Sequence, residues 1–476
     1  MCGIAFSTLV AAALVAVEPA AKSSTAELLE KGIYTEETVG DLDQAIRIYQ
    51  QVLEESQKVR GLAAQAQFRV GQCLSKQGKK AEAQAAFQRL ITDFPEAKPL
   101  VAKARQFVPA GLPLGPVPWV DGETLQLRMR MVTKLELGTA IYFAQSAERN
   151  GQKVWCVGSH TLVVLSKMRG VSRVDADWNT FRPIHSRFKN SLLGNIDAEY
   201  SPTQVVVTSV GAEGKSTKKF DLTAVVYDNE QTLHAMRRLP LAVGYKTTLP
   251  VFATMGAGKI DIPLTVQGKE TIEVPAGKFE CFRVHLGLVN QTFFIATDPH
   301  RYLVKFEANA VDAQLTAIGQ IKPGEPRRFE DDKLGLSLSV PSDWFFYNPS
   351  PGKVYVLDPQ EVADTVLTTF PMADLDPKHR ASLRAWAEAR GAEIGKLLKD
   401  FKVRPDSWLP RKIGGRAGLS FVADYVDGKR KMVAYTTCVQ GTSTAVVFSS
   451  MLPEDQFLAM RKPLDTVLDS LQVKSP

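Results

Sequence analysis

Apolar and polar positions fall into three successive patterns along the chain. Between Gly40 and Pro95 the apolar residues recur at helical spacing. Ala45, Tyr49 and Leu53 share one face of a first segment, and Ala83, Phe87 and Ile91 share the matching face of a second, with Gly40 aligned to Gly78. Positions three and four apart stack on one side of a helix, so both segments predict amphipathic helices. Leu62 to Gln77 predicts the helix before the second segment and Ala26 to Thr38 the helix before the first. Two helix pairs and a capping helix are near the smallest stack that buries a continuous core.

From Leu125 the period changes to two. Leu125, Leu127, Met129 and Met131 alternate with Gln126, Arg128 and Arg130, the signature of a half-buried strand. Strand patterns recur at Val154 to Val157, Leu162 to Leu165, Ile196 to Tyr200, Val205 to Thr208, Phe220 to Val226, Ile260 to Val266, Phe293 to Ala296, Leu303 to Ala308 and Leu315 to Ile318. Val266 to Val284 predicts a hairpin whose structural turn rests on Pro275, which presets φ, and Gly277, which tolerates a left-handed φ. One segment returns to helical spacing: Asp228 and Gln231 offer a capping box for Asn229 to Leu239, and Pro240 ends it. Many antiparallel strands around a single helix predict a β-rich barrel or a strongly curved half-barrel.

A third pattern follows the proline and charge linker Ile321 to Arg328. Leu334, Leu336, Leu338 and Val340 alternate, and a long helix is expected from Pro377, capped by Asp376, through Trp386 to Lys399. Ala417 to Tyr425 and Met432 to Val439 predict strands joined at Asp427-Gly428, Thr444 to Ser449 a further strand, and Pro453 to Leu471 a closing helix that Pro463 kinks. Trp344, Phe345, Phe346 and Tyr347 form either a docking patch or the end of a strand packed on a helix. The expected fold class is therefore multidomain: an all-α helical repeat over 25–108, a β-rich curved sheet or half-barrel over 119–320, and an α+β region with an antiparallel sheet over 327–476.

Composition narrows the function more by exclusion than by indication. A chain of 476 residues exceeds what one core supports, which suits about three domains. Its net charge of +7 is mild for that length, and no basic block interleaves with aromatics, so nucleic acid is not an expected partner. Ile4 to Val17 is apolar and ends before Glu18-Pro19-Ala20-Ala21, the outline of a signal peptide over 1–21 that would export the protein to the periplasm or cell envelope. No Lys or Arg precedes the run, which leaves a short uncleaved anchor or a buried helix as the other readings. No later segment is long and apolar enough to span a membrane.

Cys2, Cys73, Cys156, Cys281 and Cys438 have neither disulfide-scaffold nor zinc-site spacing. Cys156 and Cys281 could pair in an oxidising compartment, or pack as two buried thiols. Histidines 160, 185, 234, 285 and 300 show no metal-ligand spacing, and Asp298-Pro299-His300-Arg301 reads as a turn. No catalytic constellation stands out, so no catalytic residue, metal or cofactor is assigned. Gly214-Lys215-Ser216 follows a strand and approaches a phosphate-cradling loop, which would make the protein a nucleotide-binding enzyme. That loop needs a helix after it, whereas Lys218 onward alternates with strand period.

Three resemblances follow from these residues. The matched Ala45/Ala83 and Tyr49/Phe87 positions, with Pro95 ending the second unit, resemble the tetratricopeptide repeat. That resemblance implies a surface for a protein or peptide partner, with Tyr49, Phe68 and Phe87 as candidate contacts; a helical spacer is the other reading. Val225 to Gly244, Val266 to Val284 and Thr297 to Glu307 resemble an exported bacterial family known as domain of unknown function 3108. The order strand, Val-Pro-x-x-Trp, long helix, Ile413 to Gly418, strands and final helix resembles the PsbP/Mog1-like fold, whose members mostly bind partners. Together they imply a non-enzymatic envelope protein acting as a binding or scaffold module. The alternative is a carrier of a lipid or other apolar ligand in the curved β domain.

Overall fold

The computed structural model describes residues 24–473 apart from 56–58, 109–110, 167, 192–193, 212–213, 223, 257 and 333–334. The expected signal segment 1–21, Cys2 and Leu334 lie outside the described residues. Two compact units divide the chain, Met1–Ala110 and Gly111–Pro476. No described helix is long and apolar enough to cross a membrane.

The first unit is helical: α1 (Thr25–Tyr34), a π-turn at Thr35–Val39, α2 (Leu42–Glu55), α3 (Arg60–Lys76), α4 (Lys80–Asp93) and α5 (Lys98–Ala104). Ser24 starts α1 with a reciprocal capping box, its hydroxyl accepting from the Glu27 amide at 3.3 Å while Glu27 accepts from the Ser24 amide at 2.8 Å. Each helix pair closes by the same device. A Cβ on Gly32 would sit 2.6 Å from the Tyr49 ring, and one on Gly71 would sit 2.7 Å from the Phe87 ring. Gly40 and Gly78, aligned in the repeat, instead take positive φ in the turns, at 77° and 74°.

The three aromatic residues expected to touch a partner are consumed in this packing. Tyr49 and Phe87 are fully buried and Phe68 nearly so. Phe87 stacks on Phe107 at 4.6 Å and tilts against Phe68 at 5.5 Å. Tyr49 donates its hydroxyl to the buried carboxylate of Glu36 at 2.8 Å, which Lys76 also reaches at 2.7 Å. A ring whose faces are covered by its own unit cannot present them to a second molecule. Gly71→Ala is expected to lower the unit's stability by a net amount on the order of 1 kcal/mol, because about 1–3 kcal/mol of overpacking outweighs the gain in helix propensity of about 1 kcal/mol. Urea denaturation of the variant checks it, and a midpoint equal to or above wild type would contradict this packing.

The second unit opens with a sheet of 15 strands. Along the chain these are β1 (Glu123–Met131), β2 (Glu136–Arg149), β3 (Gln152–Val163), β4 (Met168–Asp177), β5 (Pro183–Asn190), β6 (Gly194–Tyr200), β7 (Gln204–Gly211), β8 (Gly214–Asp221), β9 (Tyr227–Asp228), β10 (Lys246–Ala253), β11 (Gly258–Val274), β12 (Gly277–Leu286), β13 (Gln291–Ala296), β14 (Leu303–Ala308) and β15 (Val311–Gln320). The first eight form an up-and-down meander. The chain then returns through one helix, and β9 to β15 form a second meander whose last strand pairs with β1. All pairings are antiparallel except β9 with β10. Val274 pairs with Gly277, so Pro275 and Ala276 make the turn between β11 and β12, with Gly277 at φ +136°.

So wide an antiparallel sheet must curl. Its two ends meet through the side chains of Ala198, Val205, Val207, Leu222, Val226 and Phe252. No strand pairing joins β8 to β9 among the described residues, so the sheet is a curled open half-barrel rather than a closed barrel. Helix α6 (Thr232–Arg237) lies inside the curl. Leu233 and Met236 pack on Leu125, Leu249 and Leu264, while Ala235 faces Trp119, Trp155 and Phe181. The sequence expects this helix from Asn229 to Leu239; the first turn, Asn229–Gln231, is instead 3₁₀. The proline-rich stretch before Trp119 also differs from a free linker, since Gly115 exchanges hydrogen bonds with Arg238 at 2.7 and 2.9 Å and Trp119 is buried.

The remaining chain adds β16 (Arg327–Asp331), β17 (Leu336–Val340), β18 (Phe345–Ser350), β19 (Lys353–Leu357), β20 (Asp364–Pro371), α7 (Pro377–Ala381), α8 (Leu383–Gly395), β21 (Lys399–Val403), β22 (Leu409–Ile413), β23 (Arg416–Asp427), β24 (Arg430–Gln440), β25 (Thr444–Pro453), α9 (Glu454–Asp469) and β26 (Gln472–Val473). They form an antiparallel sheet of eight strands and a second of three, with helices packed against them. The single long helix expected from Pro377 to Lys399 is two helices. Ser382 is extended at φ −139° and its hydroxyl accepts from the Ala385 amide at 3.2 Å, so it ends one helix and caps the next. Lys399 starts a strand. Phe345 and Tyr347 pack against β2 and β3 of the large sheet, in a cluster with Ile141, Phe143, Leu162 and Leu357. Half of the aromatic patch is thus docked on this chain's own large sheet, while Trp344 and Phe346 pack into the C-terminal core.

Candidate functional site

Inside the curl, between the start of α6 and the inner faces of β2, β3 and β10 to β13, lies a cavity of about 450 Å³. That volume is in the range of small-molecule sites. Its lining is apolar at Leu233, Met236, Val251, Ile260, Ile262 and Phe293, and polar at Tyr142, Ser159, Thr161, Asn229, Glu230, Thr232 and Gln291. Met255 and Val289 stand exposed at the rim. Strand alternation supplies both kinds of lining: inward positions of β10 and β11 are aliphatic, whereas β3 places hydroxyls at Ser159 and Thr161.

Glu230 is the group of most chemical interest here. The capping box holds it in place: the Asp228 carboxylate accepts from the Glu230 amide at 2.8 Å, and the Asp228 amide donates to Gln231 Oε1 at 3.1 Å. Asn229 Nδ2 donates to Glu230 Oε1 at 2.5 Å, and the same Asn229 side chain accepts from the Thr254 amide and hydroxyl, each at 3.1 Å. Behind it Tyr200 donates to Asp228 at 2.5 Å. Burial first, and the Asp228 carboxylate second, push the Glu230 pKa up to about 7. Burial and the Glu230 charge likewise raise the Tyr142 phenol.

A folded-state pKa above the unfolded one means that the neutral carboxyl stabilises the fold. This contribution is complete below about pH 4, the ordinary glutamate range, and is lost as pH rises through about 7. The expected result is that wild type loses stability relative to Glu230→Gln between pH 5 and pH 8.5, measured by urea midpoints. Parallel pH profiles for the two proteins would show that Glu230 titrates normally.

Two other cavities are chemically plainer. One of about 380 Å³ lies between α8 and strands β19, β20 and β25; of its charged lining Arg390 pairs with Glu393 and Asp364 with Arg169 at 3.7 Å, while Lys353 lies 5.3 Å from the Tyr355 ring centroid. The other, about 640 Å³, is framed by the hairpin ends around Arg130, Lys134 and Asp312. A cross-strand group that residue spacing could not show is His185, Asp197 and Glu199, whose ligand atoms lie within 4.8 Å of one another. The Arg149 guanidinium occupies this group, 2.8 Å from Glu199, 3.3 Å from Asp175 and 3.2 Å from His185 Nδ1, so its negative charge is balanced by the chain itself.

Three alternatives left open by the sequence are resolved at this point. Gly211 pairs with Gly214 to close a hairpin, and Gly214-Lys215-Ser216 opens an exposed strand, so the amides that would cradle a phosphate at a helix start are absent from that place. Cys156 and Cys281 are free thiols in separate apolar clusters, and burial pushes each up to about 12. Asp298 forms the expected turn, accepting from the His300 and Arg301 amides at 2.8 and 3.1 Å.

Two family models match parts of the chain. Residues 127–317 match the family described as protein of unknown function (DUF3108). Residues 65–97 match the tetratricopeptide repeat. The DUF3108 match covers most of the curled sheet, including the α6 segment and the β11–β12 hairpin. No curated protein matches the chain. Among solved structures the chain is similar to cyanobacterial PsbP from Synechocystis sp. PCC 6803, at 15% identity over 33% of this chain and 96% of that one, with a TM-score of 0.27. It is also similar to LpqN, involved in cell envelope biogenesis of Mycobacterium tuberculosis, at 16% identity over 32% of this chain and 87% of that one, TM-score 0.24. A third is the immunity protein TplEi from Pseudomonas aeruginosa, at 10% identity over 59% of this chain and 72% of that one, TM-score 0.18.

Proposed function

We propose that this is a non-enzymatic binding protein of the cell envelope whose curled sheet holds one amphipathic small molecule, while the helical repeats engage a protein partner. Three modules divide the work: repeats over 25–108, the curled sheet over 119–320 and the α+β region over 327–476. The observation that carries the ligand reading is the cavity of about 450 Å³, lined by aliphatic side chains together with hydroxyls and a carboxyl. A scaffold with a filled interior would have no such space. The lining brings hydroxyls and one carboxyl together but no histidine, lysine, arginine or cysteine beside them, which favours holding a molecule over transforming it. Export rests on the apolar run Ile4 to Val17, and the protein partner on the repeat resemblance at 65–97.

The test uses N-phenyl-1-naphthylamine, a neutral apolar fluorophore, with Ala253→Trp to fill the cavity from β10. Wild type is expected to give saturable, blue-shifted fluorescence at one site per chain, and Ala253→Trp to lose it while keeping the wild-type circular dichroism spectrum. Equal saturable binding to both would move the ligand elsewhere. No binding to wild type would leave the scaffold reading as the better account.

A further inference from the structure

Resting on that ligand reading, we propose that the cavity takes a single-chain aliphatic amine, its ammonium held by Glu230 and its chain laid along Leu233, Ile262 and Phe293. The argument begins with charge. Among the cavity-lining residues only Glu230 and Tyr142 titrate, and none is basic. Glu230 makes no ion pair among the described residues, and the hydrogen bond at 2.5 Å comes from the neutral amide of Asn229. Its charged and titratable surroundings are acidic or phenolic: Asp228 on its own turn, Tyr142 from β2 and Tyr200 from β6, with Ser172 of β4 as a further hydrogen-bond partner. Arg149 and His185 pair with Asp175, Asp197 and Glu199, and the His185 charge also acts on the Asp228 carboxylate.

A half-buried carboxyl with no cation of its own, lining open space, is complementary to a cation brought by the ligand. An anionic head would meet the Glu230 carboxyl, which has no ion-pair partner among the described residues, with Asp228 behind it. An alcohol would satisfy one hydrogen bond and neutralise nothing. An ammonium supplies charge-assisted hydrogen bonds to Glu230, with the Ser159, Thr161 and Thr232 hydroxyls of the cavity lining as further acceptors. The aliphatic side chains then cover the chain, each buried methylene tightening binding by about fourfold.

Octylamine, 1-octanol and octanoate differ only in the head, so calorimetric titration of the full chain at pH 7 with each isolates it. Octylamine is expected to bind roughly tenfold to a hundredfold more tightly than 1-octanol, the range of a charged hydrogen bond, with octanoate weakest. In Glu230→Gln the octylamine preference is expected to fall to within about threefold of 1-octanol on the same variant. Octanoate binding as well as octylamine, or the amine preference surviving Glu230→Gln, would overturn the inference while leaving the cavity as a ligand site. Because the order of the three ligands on wild type is decisive alone, the test does not depend on the variant folding. If none of the three binds, the ligand-site reading fails and this inference with it.

Discussion

Arg237→Met is expected to destabilise the second unit by about 3–5 kcal/mol. Arg237 is fully buried and pairs with the equally buried Glu123 at 2.7 Å. Nε donates to the Arg301 carbonyl and Nη2 also donates to the His300 carbonyl, both at 2.8 Å, and the guanidinium lies 5.4 Å from the Trp119 ring centroid. One side chain thereby ties the helix inside the curl to β1, to the turn before β14 and to the stretch entering the sheet. Burial lowers the Arg237 pKa and raises that of Glu123, with each partner opposing the shift of the other. Removing the arginine leaves a carboxylate in an apolar interior without its counter-ion, which costs more than the pair contributes. The double variant Glu123→Gln/Arg237→Met is therefore expected to recover a large part of the loss. Urea unfolding of the two single variants and the double variant checks this. Additive losses would mean that the two residues act independently.

Phe345→Ala is expected to cost a similar amount, about 3–5 kcal/mol for truncating a fully buried phenylalanine. It also changes how the second unit unfolds. Phe345 sits where the C-terminal sheet meets the curled sheet, 4.9 Å from the His160 ring and 4.8 Å from the Arg327 guanidinium. Around it His160 Nδ1 lies 3.1 Å from Glu361, Arg128 donates to the Asn348 carbonyl at 3.1 Å, and Lys189 donates to the Gln360 carbonyl at 2.5 Å. Burial lowers the His160 pKa to about 3 and raises that of Glu361, so the neutral forms of both are favoured and the pair meets as a hydrogen bond. An interface built on apolar packing and a few directed hydrogen bonds loses cooperativity when its central ring is removed. Calorimetry of Phe345→Ala should show the ratio of calorimetric to van't Hoff enthalpy rising above the wild-type value. An unchanged ratio with a lower midpoint would mean that the two sheets unfold together without this contact.

What could be read from the letters depended on how local the cause was. The repeat helices, the capping box at Asp228 and Gln231 and the turn at Pro275 to Gly277 follow from neighbours a few positions apart, and the sequence carries them plainly. The strands β2, β4, β5 and β10 were harder to see. Residues such as Thr139, Ser172 and His185 are polar yet buried, because a sheet that curls covers both faces and breaks the simple alternation. Ser382 splits α8 from α7 through one extended residue that helix periodicity does not register. The cavity could not be seen at all. Its lining is drawn from positions between Tyr142 and Phe293, on strands of both meanders and on the helix they enclose, and Glu230 looks in sequence like an ordinary acid in a first helical turn. The aromatic repeat positions failed in the opposite direction. Their regular spacing is real, and its cause is the close approach to Gly32 and Gly71 within the unit.

The central claim is that the space inside the curled sheet exists to hold one amphipathic molecule, and a crystal structure grown with 8-bromo-1-octanol addresses it most directly. Anomalous scattering from the bromine marks the end of the chain without relying on the shape of weak density. The account predicts one strong peak against Leu233, Ile262 and Phe293, with the hydroxyl toward Glu230. A cavity without the peak, or a peak only in the groove between α8 and β20, would contradict it.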